Sequence, residues 1–99
     1  MGWKEEFPDF DGGASCVRLV ADGWDDVSWH NDTCPSFEKG GVVIWVDYVD
    51  RMAREFPDAP HRFGVMYRHN DQTIDGCDTL DGALLSADEA MQELSEEVE

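Results

Sequence analysis

Basic side chains are scarce in this chain: seven lysines and arginines, only two of them lysine (Lys4 and Lys39), stand against 23 acids, giving a formal charge of −16. Such a surface repels phosphates, which excludes the usual nucleic-acid-binding and anionic-membrane classes and leaves basic proteins or cations as partners. Cysteine is the second scarcity. Cys16, Cys34 and Cys77 are an odd number without a C-x-x-C pair, so a full disulfide framework is excluded and reduced thiols are expected. No run approaches 18 apolar residues, and Met1–Glu6 holds no apolar core of signal-peptide length. Neither a membrane span nor secretion is expected, and a bacterial cytoplasm is the predicted compartment.

Catalytic signatures are missing as well. No nucleophile elbow and no glycine-rich phosphate loop occurs, and paired acids such as Asp25/Asp26 are too common in so acidic a chain to signal acid–base work. His30 and Cys34 have an H-x₃-C spacing but lack the second local pair that a tetrahedral zinc site needs. Asp71, Asp75 and Gly76 match three positions of a calcium loop, which then fails at Thr73 and Gly82. The expectation is a non-enzyme without cofactor or metal.

What is present is one domain's worth of fold, residues 1–99, long enough to build a single core without staples. Gly40 to Tyr48 is the most apolar and most β-prone run and reads as the central strand, with Val42, Ile44, Val46 and Tyr48 on one face and Val43, Trp45 and Asp47 on a more open one. Residues 1–14 read as an extended N-terminal arm pinned by Trp3, Phe7 and Phe10. Ser15 to Ala21 and Trp24 to His30 read as a hairpin turning at Asp22-Gly23, and Phe37 to Gly41 as the approach to the central strand. Val49, Met52, Ala53 and Phe56 have helical spacing, with Asp50 four before Arg54, and predict a short middle helix ended by Pro57. Arg62 to Arg68 alternates as the next strand, and Gln72 to Leu80 as an edge strand with Gly76 as its bulge. Ser86 and Glu89 form a capping box opening a helix over 87–97. Together these predict an α+β domain: an antiparallel sheet of four or five strands, with the short middle helix and a C-terminal helix packed on one face.

The charge is unevenly spread. Residues 1–50 hold 11 acids and 3 bases, 51–70 hold 2 and 4, and 71–99 hold 10 acids and no base. Glu89, Glu93, Glu96 and Glu97 share a helix face without a lysine, although like charges at i, i+4 cost about 0.2–0.5 kcal/mol per pair. Carboxylates about 6 Å apart along a helix resemble the phosphates of a nucleic-acid strand in spacing. Solubility alone, or a salt-adapted cytoplasm, would also produce an acidic surface. Candidate partner-binding residues are Asp22, Asp25, Asp26 and Asp32 on the expected hairpin, Asp71, Asp75 and Asp78, and the four helix glutamates. Trp24 and Trp29 join them as aromatic anchors, at least one of the two indoles being expected in the core.

Ser28 to Phe37, Val46-Asp47-Tyr48 and Arg54-Glu55-Phe56-Pro57 resemble small proteins of bacterial phages and mobile elements over about residues 15 to 85. In size, acidity and lack of catalytic motifs the chain also resembles anti-CRISPR proteins, several of which mimic DNA and occupy the basic DNA-binding surface of a CRISPR effector complex. Those proteins share no common fold, so no functional residue carries across. The resemblance implies a monomeric inhibitor of a basic nucleic-acid-binding host protein or complex that does not itself bind nucleic acid. An immunity protein or antitoxin covering a basic nuclease toxin is the alternative.

Overall fold

Five short segments pair edge to edge in the order in which the chain makes them, in a computed structural model that describes residues 2–58 and 60–97. They are β1 (Asp25–Asp26), β2 (Ser36–Lys39), β3 (Val42–Val46), β4 (Phe63–Tyr67) and β5 (Thr73–Cys77), all antiparallel to their neighbours. α1 (Trp3–Glu6) and α2 (Gly13–Ala21) precede the sheet, and α3 (Leu80–Glu97) follows it. The expected α+β class and the C-terminal helix on the sheet are both present.

β3 is the middle strand, as its composition requires. Val42, Ile44 and Val46 are buried while Val43 and Trp45 are half-buried, and Phe63 and Val65 of β4 join the first set. Onto this face pack Cys16 and Leu19 of α2 and Ala83, Ala87 and Ala90 of α3. The small alanines let α3 lie close to the sheet. The other face stays open around Trp45, whose indole N–H reaches Met66 Sδ at 2.7 Å, and around an Arg68–Glu38 ion pair.

The segment expected as a first strand is α2. Val17, Leu19 and Val20 suit a strand by propensity, but a helix turns Cys16 and Leu19 inward and leaves Val17 and Val20 in solvent. Packing overrides local preference here. The stop is a Schellman motif: Trp24 N–H bonds to Leu19 O at 3.0 Å and Gly23 N–H to Val20 O at 3.1 Å, with Gly23 at φ +91°. The expected 15–30 hairpin is therefore absent, and only Asp25–Asp26 of its second half is strand. The N-terminal arm is likewise partly helical, because Asp26 Oδ2 accepts the Trp3 N–H at 2.8 Å. Its pinning holds: Phe7 is buried, and Trp3 and Phe10 pack against the core.

Phe37 to Gly41 proves to be a strand and a turn. Ser36–Lys39 pairs with Val42–Trp45, and Gly40 and Gly41 close the hairpin at φ +56° and +83°, the two positive angles of a type I′ loop. The middle helix shrinks to one 3₁₀ turn, Arg51–Ala53. Its supposed inner residues Val49, Met52 and Phe56 point outward at 54%, 81% and 67% exposure, while Arg54 is buried. In β5 the register steps from Val65↔Asp75 to Met66↔Thr73, so the bulged residue is Ile74. Gly76, the expected bulge, pairs squarely with Gly64.

α3 begins seven residues before the expected start. Thr79 Oγ1 accepts the Gly82 N–H at 3.1 Å, which makes Thr79 the cap. Ser86 lies inside the helix and donates its hydroxyl to Asp75 of β5 at 2.6 Å. The inward positions Ala83, Leu84 and Ala87 continue the helical period N-terminally past Ser86. The side chains of Glu96 and Glu97, and residues Val98 and Glu99, lie outside the described residues.

Candidate functional site

The acids predicted as a working surface fall into two groups on opposite edges of the sheet. One group lies along β5 and the flank of α3 beside it, where Asp75, Glu89 and Glu93 line a shallow groove of about 170 Å³ with Ile74, Ser86 and Ala90. Asp75 accepts the Ser86 hydroxyl and also the Gly76 N–H at 2.9 Å. The Ser86 hydroxyl foremost, then Cys77 and the Gly76 N–H, hold its carboxyl below the ordinary value. Glu93 Oε2 accepts the Tyr67 hydroxyl at 3.1 Å, which fixes a carboxylate that would otherwise sample many rotamers. Glu89 is exposed and makes no ion pair among the described residues. Asp78 pairs with His61 Nδ1 at 3.0 Å, and Asp71 sits at a turn with φ +56°.

The second group, Asp22, Asp25, Asp26 and Asp32, is four strand spacings away, about 19 Å across the sheet. It is not a uniform patch. Asp26 is spent internally, with Oδ2 on the Trp3 N–H and Oδ1 on the Ser28 N–H at 3.1 Å. Asp22 caps the end of α2, Asp25 is exposed and Asp32 half-exposed. Trp24 is a core residue at 4% exposure, which removes it as a surface anchor. Trp29 is 48% exposed, with its ring centroid 4.2 Å from that of His30.

Each lysine and arginine makes a contact within the chain, although Arg18, Lys39, Arg51 and Arg68 are exposed. Arg54 and Arg62 donate to the backbone carbonyls of Tyr48 and Asp47 at 2.7 and 3.0 Å, and Arg51 to that of Pro57 at 3.4 Å. Lys39 reaches Asp22 O at 2.9 Å, Arg68 pairs with Glu38, Arg18 with Asp81 at 2.7 Å, and Lys4 sits 5.5 Å from the centre of the Trp3 ring. Backbone carbonyls orient Arg51, Arg54 and Arg62 without neutralising them, whereas Arg68 faces the Glu38 carboxylate. Acids carry the exposed potential.

Burial pushes the Cys16 and Cys34 thiols up to about 12, far from a reactive thiolate at neutral pH. Among the described residues, no three histidines, cysteines or carboxylates come together to hold a metal ion, and no helix is long and apolar enough to cross a membrane.

Sequence reasoning missed the other flank of α3. Asp81, Leu85 and Asp88 border a cleft of about 610 Å³ facing α2, with Trp24 among its lining. The spacing of 81, 84, 85 and 88 was the available signal, hidden because the helix was started too late. Set against known protein families, characterised proteins and solved structures, the chain matches none.

Proposed function

We propose that the protein is an acidic inhibitory binding protein whose β5–α3 edge occupies the basic nucleic-acid-binding surface of a host complex, in the manner of the DNA-mimicking anti-CRISPR proteins it resembles. One observation carries the reading: Asp75 stands on β5 and Glu89 and Glu93 on α3, both elements fixed by the core, with Asp78 in the bend between them. Fixed carriers matter, because charge complementarity steers association best when it need not be ordered on arrival. Burial of α3 along its alanine face supports such rigidity. The chain's own charge keeps it off nucleic acid, so inhibition acts through the protein component.

The test is displacement of duplex DNA from a panel of purified CRISPR effector complexes. Displacement is expected for at least one complex, weakening as salt rises, and Glu89→Lys with Glu93→Lys should weaken it at least about tenfold while the circular dichroism spectrum is unchanged. Failure to displace from any complex, or displacement that ignores both salt and the double reversal, overturns the reading.

A further inference from the structure

The cleft on the opposite flank of α3 combines apolar depth with carboxylates in a way the β5 groove does not. Its apolar lining is the half-buried Leu84 and Met91, with the edge of the buried Trp24 behind them. Leu85 borders that lining at 68% exposure. A single exposed leucine is ordinary on a protein surface, but one beside a concave apolar floor adds to a surface that binding would cover. Asp81 and Asp88 stand two turns apart on the same flank, about 10 Å along the axis, and Asp22 faces them from the end of α2.

The chain already shows how a guanidinium sits there. Arg18 Nη1 lies 2.7 Å from Asp81 Oδ1 and its Nε 3.9 Å from Asp22 Oδ2, so one arginine spans from the end of α2 to the start of α3. Its side chain is 51% exposed, and an exposed pair of this kind is weak and exchanges readily. Asp88 has no such base among the described residues. Lys39, the other cation of the cleft, is occupied by the Asp22 carbonyl.

We infer that the α2–α3 cleft is a docking groove for a protein segment carrying an arginine beside an aliphatic side chain, the aliphatic group seated on Leu84, Leu85 and Met91 and the guanidinium on Asp88 or in exchange for Arg18. Charge complementarity selects this occupant. The lining's three carboxylates outnumber its two cations, Arg18 and Lys39, and Asp88 is the carboxylate without a base beside it among the described residues, while the apolar lining disfavours a purely polar ligand. The inference rests on the proposed function for its partner, a basic protein, and adds a second contact on the far flank of the same helix. Apolar anchors with a charged rim are the usual anatomy of a specific interface.

The probe is the peptide acetyl-Leu-Arg-Leu-Arg-amide titrated into the ¹⁵N-labelled full chain, beside acetyl-Ser-Arg-Ser-Arg-amide and acetyl-Leu-Glu-Leu-Glu-amide. Shifts are expected at the Trp24 indole N–H and at the amides of Arg18, Leu84 and Leu85. Binding should be at least about fivefold weaker for the serine peptide and undetectable for the glutamate peptide. Leu85→Ser with Asp88→Asn, both on the solvent side of α3, should weaken it at least about fivefold with the remaining spectrum unchanged. Equal response to the serine peptide, shifts centred on Asp75, Glu89 and Glu93, an unaffected double variant, or no binding at millimolar peptide would each overturn the groove. Displacement of DNA without peptide binding would remove the groove and keep the acidic edge. Peptide binding without displacement would keep the groove and remove the nucleic-acid mimic.

Discussion

Arg54 donates its Nε to the Tyr48 carbonyl at 2.7 Å and its Nη2 to the Val49 carbonyl at 3.4 Å, from a side chain that is only 8% exposed. From the other side Asp11 accepts the Val49 and Asp50 N–H groups, both at 2.8 Å. Desolvation alone would raise the Asp11 carboxyl, but those N–H groups and the Arg62 charge outweigh it and hold it below its ordinary value. The loop after β3 is thus clamped by one cation and one anion, and presents Met52 and Phe56 outward.

Removing the clamp should be costly. Arg54→Ala leaves the Tyr48 carbonyl without its donor, and an orphaned, partly buried acceptor costs about 1–3 kcal/mol. Urea unfolding should show that loss, with partial recovery in Arg54→Lys. An unchanged midpoint would mean that the loop contributes nothing to the stability of the sheet.

The β2–β3 turn gives a second expectation. Gly41 at φ +83° occupies a region that costs a residue with a Cβ about 1–2 kcal/mol, so Gly41→Ala should lower stability by that amount. Gly40→Ala adds a Cβ 2.9 Å from Met91 Sδ and should disturb the packing of α3 as well. Gly64→Ala is the control: its Cβ would meet Trp45 Cβ at an ordinary 3.8 Å. If all three behave alike in thermal unfolding, backbone conformation is not what selects glycine at the turn.

These two features also mark the limits of what the residues alone disclose. The central strand, β4 and the helix-on-sheet architecture were legible because their apolar periods are long and unambiguous. α2 was not, since Cys16-Val17-Arg18-Leu19-Val20 satisfies both periods equally, and only Gly23 as a helix stop could have decided. The Gly40-Gly41 pair reads as the start of the strand by its apolar neighbours, although two glycines between apolar runs signal a hairpin. Sequence spacing pairs Arg54 with Asp50 on a helix because it cannot see a carbonyl that needs a donor. Of the candidate site, Glu89 and Glu93 were legible from helical spacing. The structural role of Asp26 was not, because its partner Trp3 lies 23 residues away.

Capping separates the two possible starts of α3. Thr79→Ala should cost about 0.5–2 kcal/mol as a lost N-cap. Ser86→Ala should cost less but release Asp75, whose carboxyl then titrates closer to its ordinary 3.8. A carboxyl depressed in the folded state contributes stability above its unfolded pKa, and loses it as pH falls through the folded one. The acid-side decline attributable to Asp75 should therefore shrink in Ser86→Ala, as followed by carboxyl NMR titration. A silent Thr79→Ala with a frayed helix in Ser86→Ala would return the start of the helix to residue 87.

The thiols supply the opposite sign. Cys16 and Cys34 are buried and Cys77 is half-buried at the edge of the sheet, so iodoacetamide at pH 8 should label one site per folded chain, Cys77, and all three in urea. Burial foremost pushes Cys16 and Cys34 from 9.0 up to about 12, with Asp26 and Asp47 adding repulsion to the respective thiolates. A group whose folded pKa is raised contributes stability that is whole below its unfolded value and is lost as pH rises toward the folded one. Stability should accordingly fall between about pH 9 and pH 12. Cys16→Ala with Cys34→Ala lowers stability at every pH by leaving cavities, yet should flatten that alkaline slope. The slope is the diagnostic quantity, because a cavity has no proton to lose. If it persists in the double variant, the alkaline loss belongs to the phenols or to overall charge repulsion, and the buried thiols are spectators.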